Sequence, residues 1–305
     1  MRPDHVWRQI EGLLATAHGR VVLVAPFIKK DVFKFALDAV ADPDVEILCV
    51  TRWSVLEVAA GVSDPEIADL AVRDGRVKIL LCHDLHAKLY IADRRCLVGS
   101  ANLTAKATGL RQPRNAELLL EVPHVHPEVQ LLLEYIEEHG VPASTELAHQ
   151  IREQADLLRE DEDSAEMIVV AGSTDQDRTR WRPETRDPQR LYRIYRGAKH
   201  DFVSEILAGV VRDLAYLDVP PGLDEQNFSA AVLQRLYEMP EIGQLITEKR
   251  LNMDDLQQRV MEADGCSEAF ARRAAENIGE WLKYFDEVRV VPTGPWEIRY
   301  GRELR

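Results

Sequence analysis

Cysteine is scarce in this sequence. Four residues in 305, Cys49, Cys82, Cys96 and Cys266, are too few and too scattered for a disulfide scaffold or a zinc site built from cysteine pairs. Long apolar runs are also missing. The longest, at 21–28, falls far short of the roughly 20 residues that span a bilayer, and the N-terminus has no basic region leading into an apolar signal core. The expectation is a protein of the reducing cytoplasm with no membrane partner. Basic residues are in deficit, 38 Lys and Arg against 52 Asp and Glu, for a net charge of −14. That balance excludes a surface coated with base for indiscriminate binding of polyanions.

What remains is ordinary globular composition, 46% hydrophobic and 30% charged, in a chain long enough to bury two cores. The charge is segregated. The first 125 residues hold 16 bases and 16 acids, 126–166 hold two bases and 12 acids, and 174–200 hold eight bases and four acids. Composition therefore divides the chain into a domain over 1–125, an acidic helical linker with an Arg-rich loop over 126–190, and a mainly helical domain over 191–305.

An amphipathic helix at 3–18 is followed by an apolar, β-branched strand at 20–25 that Pro26 stops. Helices at 31–41 and 65–73 then alternate with strands at 45–51 and 77–82, as in a parallel sheet with helices on its faces. Short strands at 85–92, 96–98 and 116–122 with brief connections change the pattern. The predicted architecture is an α/β mixed sheet flanked by helices. Beyond it lie helices at 199–217, 224–239, 253–263 and 267–285, and a hairpin signal at 288–300 around Pro292-Thr293-Gly294-Pro295.

The informative chemistry lies between His83 and Glu117. Period-2 alternation over 85–92 sends Leu85, Ala87, Leu89 and Ile91 to a core face and His86, Lys88 and Tyr90 to the other. A histidine and a lysine side by side on an apolar strand call for an anion, because an unpaired buried ammonium is costly. Ten residues on, Gly99-Ser100-Ala101-Asn102-Leu103-Thr104 ends a strand and is predicted to open a helix. Gly99 permits a tight turn, Ser100 and Asn102 offer side-chain donors, and free amides at a helix start favour an anion. Together these groups suit a phosphate. A metal site at His83 and His86 is the rival reading, but residues an odd number apart leave a strand on opposite faces, and Lys88 repels a cation. His83 reads as a strand-end or turn residue.

His86-Ala87-Lys88, four residues, Asp93, and then Gly99-Ser100-Ala101-Asn102 resemble the signature of the phospholipase D superfamily, with one residue fewer than usual between Asp93 and Gly99. Asn115-Ala116-Glu117 looks like the downstream segment in which family members place a glutamate near the histidine. The resemblance covers about 20–125. It implies phosphodiester cleavage through a phosphohistidine on His86, with Lys88, Ser100 and Asn102 holding the nonbridging oxygens and Glu117 orienting the imidazole. It implies no metal or other cofactor. Asp93 and Gly99 read as structural supports. Because the chain carries one copy of the motif where the two-histidine mechanism needs two, the resemblance also implies a homodimer that shares one active site.

The superfamily's chemistry leaves the substrate open between nucleic acid and phospholipid, and a noncatalytic phosphate-binding module is a third reading. Small single-motif members are nucleases, which favours DNA. Arg52 and Trp53, just past a strand end, are candidates for the site mouth. Seven arginines between Arg178 and Lys199, Arg180 and Arg182 among them, interleave with Trp181, Tyr192 and Tyr195 as if to contact phosphates and stack on bases, or else they pair with the acidic helix before them. The run Glu160-Asp161-Glu162-Asp163 is a candidate nucleic-acid mimic. The last 50 residues fit a helix-turn-helix with a wing, or a helical module that binds a protein partner.

Overall fold

The computed structural model describes residues 4–161, 164, 181–198, 204–286, 288–291 and 296–300. The chain divides into two compact units, Met1–Asp156 and Leu157–Arg305.

The first unit begins with helix α1, His5–Leu14, whose buried Val6, Trp7, Ile10, Leu13 and Leu14 recur at helical spacing. Strand β1, Arg20–Val24, helix α2, Lys30–Ala39, and strand β2, Glu46–Thr51, follow. Next come helices α3, Val55–Ala59, and α4, Ile67–Asp74, then strand β3, Val77–Leu81. The pattern then turns antiparallel, with β4 at Leu89–Ala92, β5 at Arg95–Gly99, a short helix α5 at Ala105–Thr108 and β6 at Leu119–Pro123. Helix α6, Pro127–His139, strand β7, Val141–Pro142, and helix α7, Thr145–Glu160, close the series. The sheet order is β6-β5-β4-β1-β2-β3-β7. Strands β1, β2 and β3 are parallel, while β4, β5 and β6 each run against the neighbour before them. The mixed sheet flanked by helices read from the sequence is what forms.

Both faces of the central strands are covered, so they read as continuous apolar runs. Val22, Val24, Leu89, Ile91 and Cys96 share a core with Val129 and Ile136 of α6. Each such side chain contributes roughly 1.5–3 kcal/mol on burial. The acidic helix after residue 126 thus packs on the sheet through its apolar stripe, and β7 pairs with β3. For that reason the first unit extends to Asp156 and does not end at residue 125.

The second unit holds α8, Gln189–Tyr195, α9, Ser204–Leu217, α10, Glu225–Tyr237, α11, Gly243–Glu248, and strand β8, Arg250–Asn252. Helices α12, Met253–Asp264, and α13, Glu268–Phe285, precede strands β9, Val288–Val291, and β10, Glu297–Tyr300. Gly265, at φ +60°, turns the chain between α12 and α13, and β10 lies between β8 and β9. Helices α12 and α13, joined at the Gly265 turn, are thus followed by strands that pair with β8 in a three-stranded antiparallel sheet.

Asp213 on α9 organises this unit. Its buried carboxylate accepts from Trp181 Nε1 at 3.1 Å, Glu184 N at 2.9 Å and Thr185 N at 2.8 Å. Asn277 Nδ2 and Trp281 Nε1 of α13 donate to carbonyls of the same 183–185 stretch. Burial pushes the Asp213 carboxyl up to about 7, against the pull of the Glu184 and Thr185 hydrogen bonds. The folded unit therefore keeps a proton that the unfolded chain releases above the ordinary value of 3.8. Its stability falls as pH rises from the ordinary value to the raised one, by at most about 1.4 kcal/mol per pH unit. Urea unfolding of the protein and of Asp213→Asn across that range checks this, since the variant loses the Asp213 part of the slope.

Candidate active site

Register brings the motif residues to one edge. Val24, the last residue of β1, pairs with Leu89, the first of β4; Leu89 pairs with Val98; and Gly99 pairs with Leu119. The carboxyl ends of β1 and β2, the residues before β4, those after β5 and those before β6 therefore meet at the same end of the sheet. Strand β4 begins at Leu89, not at residue 85, so His86 and Lys88 stand on the extended stretch leading into it. Leu85, Leu89 and Ile91 point into the core as the alternation requires, His86 is exposed, and Lys88 is half-buried.

The cradle is tightly bonded. Gly99 N donates to Lys88 O at 3.2 Å, and Ser100 N donates to Leu118 O at 3.0 Å. Ser100 Oγ donates to Glu117 Oε2 at 2.5 Å and accepts from Leu118 N at 3.1 Å. Asn115 Nδ2 donates to Glu117 Oε1 at 3.0 Å. Asn102 Oδ1 accepts from Phe27 N at 3.4 Å, which leaves its amide nitrogen as the side chain's donor. Lys88 Nζ donates to His86 O at 2.6 Å. Burial holds the Lys88 ammonium below the ordinary lysine range, repulsion from Arg52 adds to this, and Glu117 opposes it. The negative charge of an arriving phosphate would oppose both lowering causes, because it stabilises an ammonium already short of water.

Three expectations are corrected here. Helix α5 has only four residues and its first-turn amide of Ala107 is capped by Thr104 Oγ1, so the expected helix start offers no free first-turn amide there for an anion. Arg182 is no substrate contact: it is buried, with Nη2 at 2.6 Å from Glu241 and 3.2 Å from Asp264. The aromatics of that segment are likewise packed. Trp181 lies 5.4 Å from Trp281, while Tyr192 and Tyr195 lie 5.3 and 4.7 Å from Phe228. Arg178, Arg180, Glu162, Asp163 and the 292–295 turn lie outside the described residues. Asp161 pairs with Arg212 at 2.6 Å.

Arg52 belongs to the site's surroundings. It forms a two-pronged ion pair with Glu57, donates to Leu85 O at 3.2 Å, and sits 5.4 Å from the Phe27 ring centroid. Trp53 beside it is buried and packed, and His83 lies in a turn. Two supports escaped the sequence reading. Glu57 orients Arg52, and its buried position was not legible from an acid that merely follows an arginine by five residues. Tyr90 donates from its hydroxyl to Ala101 O at 2.8 Å, tying the Ser100–Asn102 loop to β4.

Asp93 sits at the far end of β4, at φ +52°. Its carboxylate accepts from His18 N at 2.9 Å, Gly19 N at 2.9 Å and Arg20 N at 3.0 Å, which holds it below the ordinary carboxylate range. That contribution is present above the ordinary value and is lost as pH falls through the depressed one. Asp93→Ala is expected to cost about 1 kcal/mol, since water replaces part of each bond at this exposed position, and to leave turnover of the folded protein within about threefold. Urea unfolding beside steady-state kinetics tests the separation.

No protein-family model and no curated protein sequence matches the chain. Among the described residues, no helix is long and apolar enough to cross a membrane. Among solved structures, the chain is similar to NucT from Helicobacter pylori, at 15% identity over 46% of this chain and 92% of that one, with a TM-score of 0.32. It is also similar to phosphatidylserine synthase from Haemophilus influenzae, at 13% identity over 52% of this chain and 42% of that one, TM-score 0.39. A third similar structure is Nuc from Salmonella typhimurium, a phospholipase D family member, at 17% identity over 45% of this chain and 90% of that one, TM-score 0.35.

Proposed function

We propose that the first unit is a metal-independent phosphodiesterase of the phospholipase D type, acting as a nuclease on DNA in a homodimer. The single observation that carries this reading is the convergence of His86, Lys88, Ser100, Asn102 and Glu117 on one sheet edge, as the register requires. In the reaction, a ring nitrogen of neutral His86 attacks phosphorus while the bond to the leaving oxygen breaks. A histidine from the second subunit gives that oxygen its proton. Water oxygen then attacks phosphorus, the same histidine takes the proton released, and the phosphorus–nitrogen bond breaks so that His86 leaves with its electron pair. Lys88 and Asn102 hold the nonbridging oxygens as charge gathers on them, and Ser100 joins them by swinging its one hydroxyl proton from Glu117 to the phosphate. Glu117, anchored by Ser100 and Asn115, orients the imidazole. The helix-turn-helix and wing of the second unit serve targeting or partner contact.

The test incubates the full chain, in chelator, with DNA, RNA and phospholipid vesicles in parallel, beside His86→Ala. DNA cleavage that survives chelation and is lost in the variant is the expected result. Hydrolysis of phospholipid alone transfers the site to a lipid substrate, and hydrolysis of nothing overturns the reading.

A further inference from the structure

Between Asp93 and Glu117 the chain contains no acidic residue, yet it carries Arg94, Arg95, Lys106, Arg111 and Arg114. In a protein of net charge −14 this stretch departs from the prevailing balance. Its first two arginines lie at the sheet edge opposite the site, where Arg95 pairs with Glu121. The other three cations lie on the connection that leaves Asn102 and returns to Glu117. Lys106 is exposed, as is every residue from Leu110 to Ala116.

This connection is held in place. Arg111 N donates to Ala105 O at 2.9 Å, Asn115 N donates to Lys106 O at 3.1 Å, and the Asn115 side chain reaches Glu117. The two backbone bonds fold the connection on itself, and the Asn115 side chain ties its returning end to Glu117 of the cradle. Many other cations of the unit are matched: Arg8 with Asp4, Lys29 with Asp64, Arg76 with Asp74 and Arg152 with Glu66. The side chains of Lys106 and Arg111 pair with no carboxylate among the described residues. Two such exposed cations, on a loop bonded to the cradle and free of acid, form a surface for negative charge adjacent to the one already described.

We infer that the 105–116 connection is a flanking-phosphate subsite, so that the site takes a nucleic-acid strand and not a phospholipid headgroup; this rests on the phosphodiesterase reading. A headgroup brings one phosphodiester to Lys88, Ser100 and Asn102 and offers nothing to Lys106 and Arg111. A strand brings a phosphate for about every 3.4 Å of its rise. A membrane surface is also rich in phosphate, but segments that lie on one need a broad apolar face. Here the exposed 110–116 stretch has Leu110 as its large apolar side chain, beside Gln112 and Asn115.

The test measures binding in a His86→Ala background, so that turnover cannot intrude, using fluorescent single-stranded and duplex DNA 30-mers in chelator at low and rising KCl. Adding Lys106→Gln, Arg111→Gln and Arg114→Gln is expected to weaken binding on the order of tenfold to a hundredfold at low salt. It should also flatten the slope of log K against log salt by about two to three, near one for each phosphate left unneutralised. Arg94→Gln, at the far edge, removes one charge and should change neither. An unchanged thermal midpoint shows that the triple variant folds, and the single substitution Arg111→Gln repeats the effect at about one third of the slope change. Unchanged affinity and slope, absence of DNA binding by His86→Ala, or a loss confined to phosphatidylglycerol vesicles overturns the inference. If the unsubstituted protein hydrolyses nothing while the triple variant still loses DNA affinity, the catalytic reading fails and the subsite stands.

Discussion

His86→Ala is expected to lower phosphodiester turnover by on the order of 10⁴-fold or more, because in the proposed mechanism His86 is the nucleophile and its loss leaves only the electrostatic help of the cradle. Its stability should stay within about 0.5 kcal/mol of the parent, since His86 is exposed and lies outside the core. Retained structure with lost chemistry separates a nucleophile from a structural residue. The proposed two-subunit site adds a sharper result. When parent and variant chains are unfolded together in equal amounts and refolded, half of the dimers are mixed. If each reaction needs a histidine from both subunits, the mixture keeps about a quarter of the parent's activity; if each chain works alone, it keeps about half. A half-active mixture, or a fully active monomer in sedimentation, refutes the two-subunit site.

Gly99→Ala is expected to be the most damaging small substitution in the first unit. A Cβ at this position would lie 1.8 Å from Leu118 O and 2.8 Å from Leu118 C. Those are backbone atoms held by the β5–β6 pairing, and they cannot swing aside as the tip of a side chain does. The strands must part where Ser100 N meets Leu118 O and where Leu118 N meets Ser100 Oγ. A loss of about 3 kcal/mol follows from forcing two strands apart at a packed contact. The folded fraction should also lose turnover by roughly a hundredfold, because the Ser100–Glu117 alignment depends on the same approach. Urea unfolding and single-turnover kinetics on the variant measure both effects. Native stability would mean that the close approach of Gly99 to β6 does not exist in solution.

Much of the first unit was legible because its residues obey short-range periodicities. The β1 and β2 runs are apolar and β-branched, α1 repeats its apolar stripe, and Leu85, Leu89 and Ile91 keep period 2 up to the core. The acidic content of 126–160 misled, because a helix needs only a narrow apolar stripe to join a core, and Val129 and Ile136 supply it. The arginine-rich segment misled for a related reason. Composition counts charges without showing which carboxylates the chain will bring to them, and Glu241 and Asp264, distant in sequence, claim Arg182.

The order of reactive residue types, His86 and Lys88, then Ser100 and Asn102, then Glu117, was present in the linear chain, since chemistry needs particular side chains and their spacing is local. Which of them meet was settled by strand register. Antiparallel pairing of β4, β5 and β6 carries Lys88, Ser100 and Glu117 to one edge and sends Asp93 to the other, where backbone amides occupy it. Register depends on hydrogen bonds and packing between segments far apart in sequence, which no local pattern encodes.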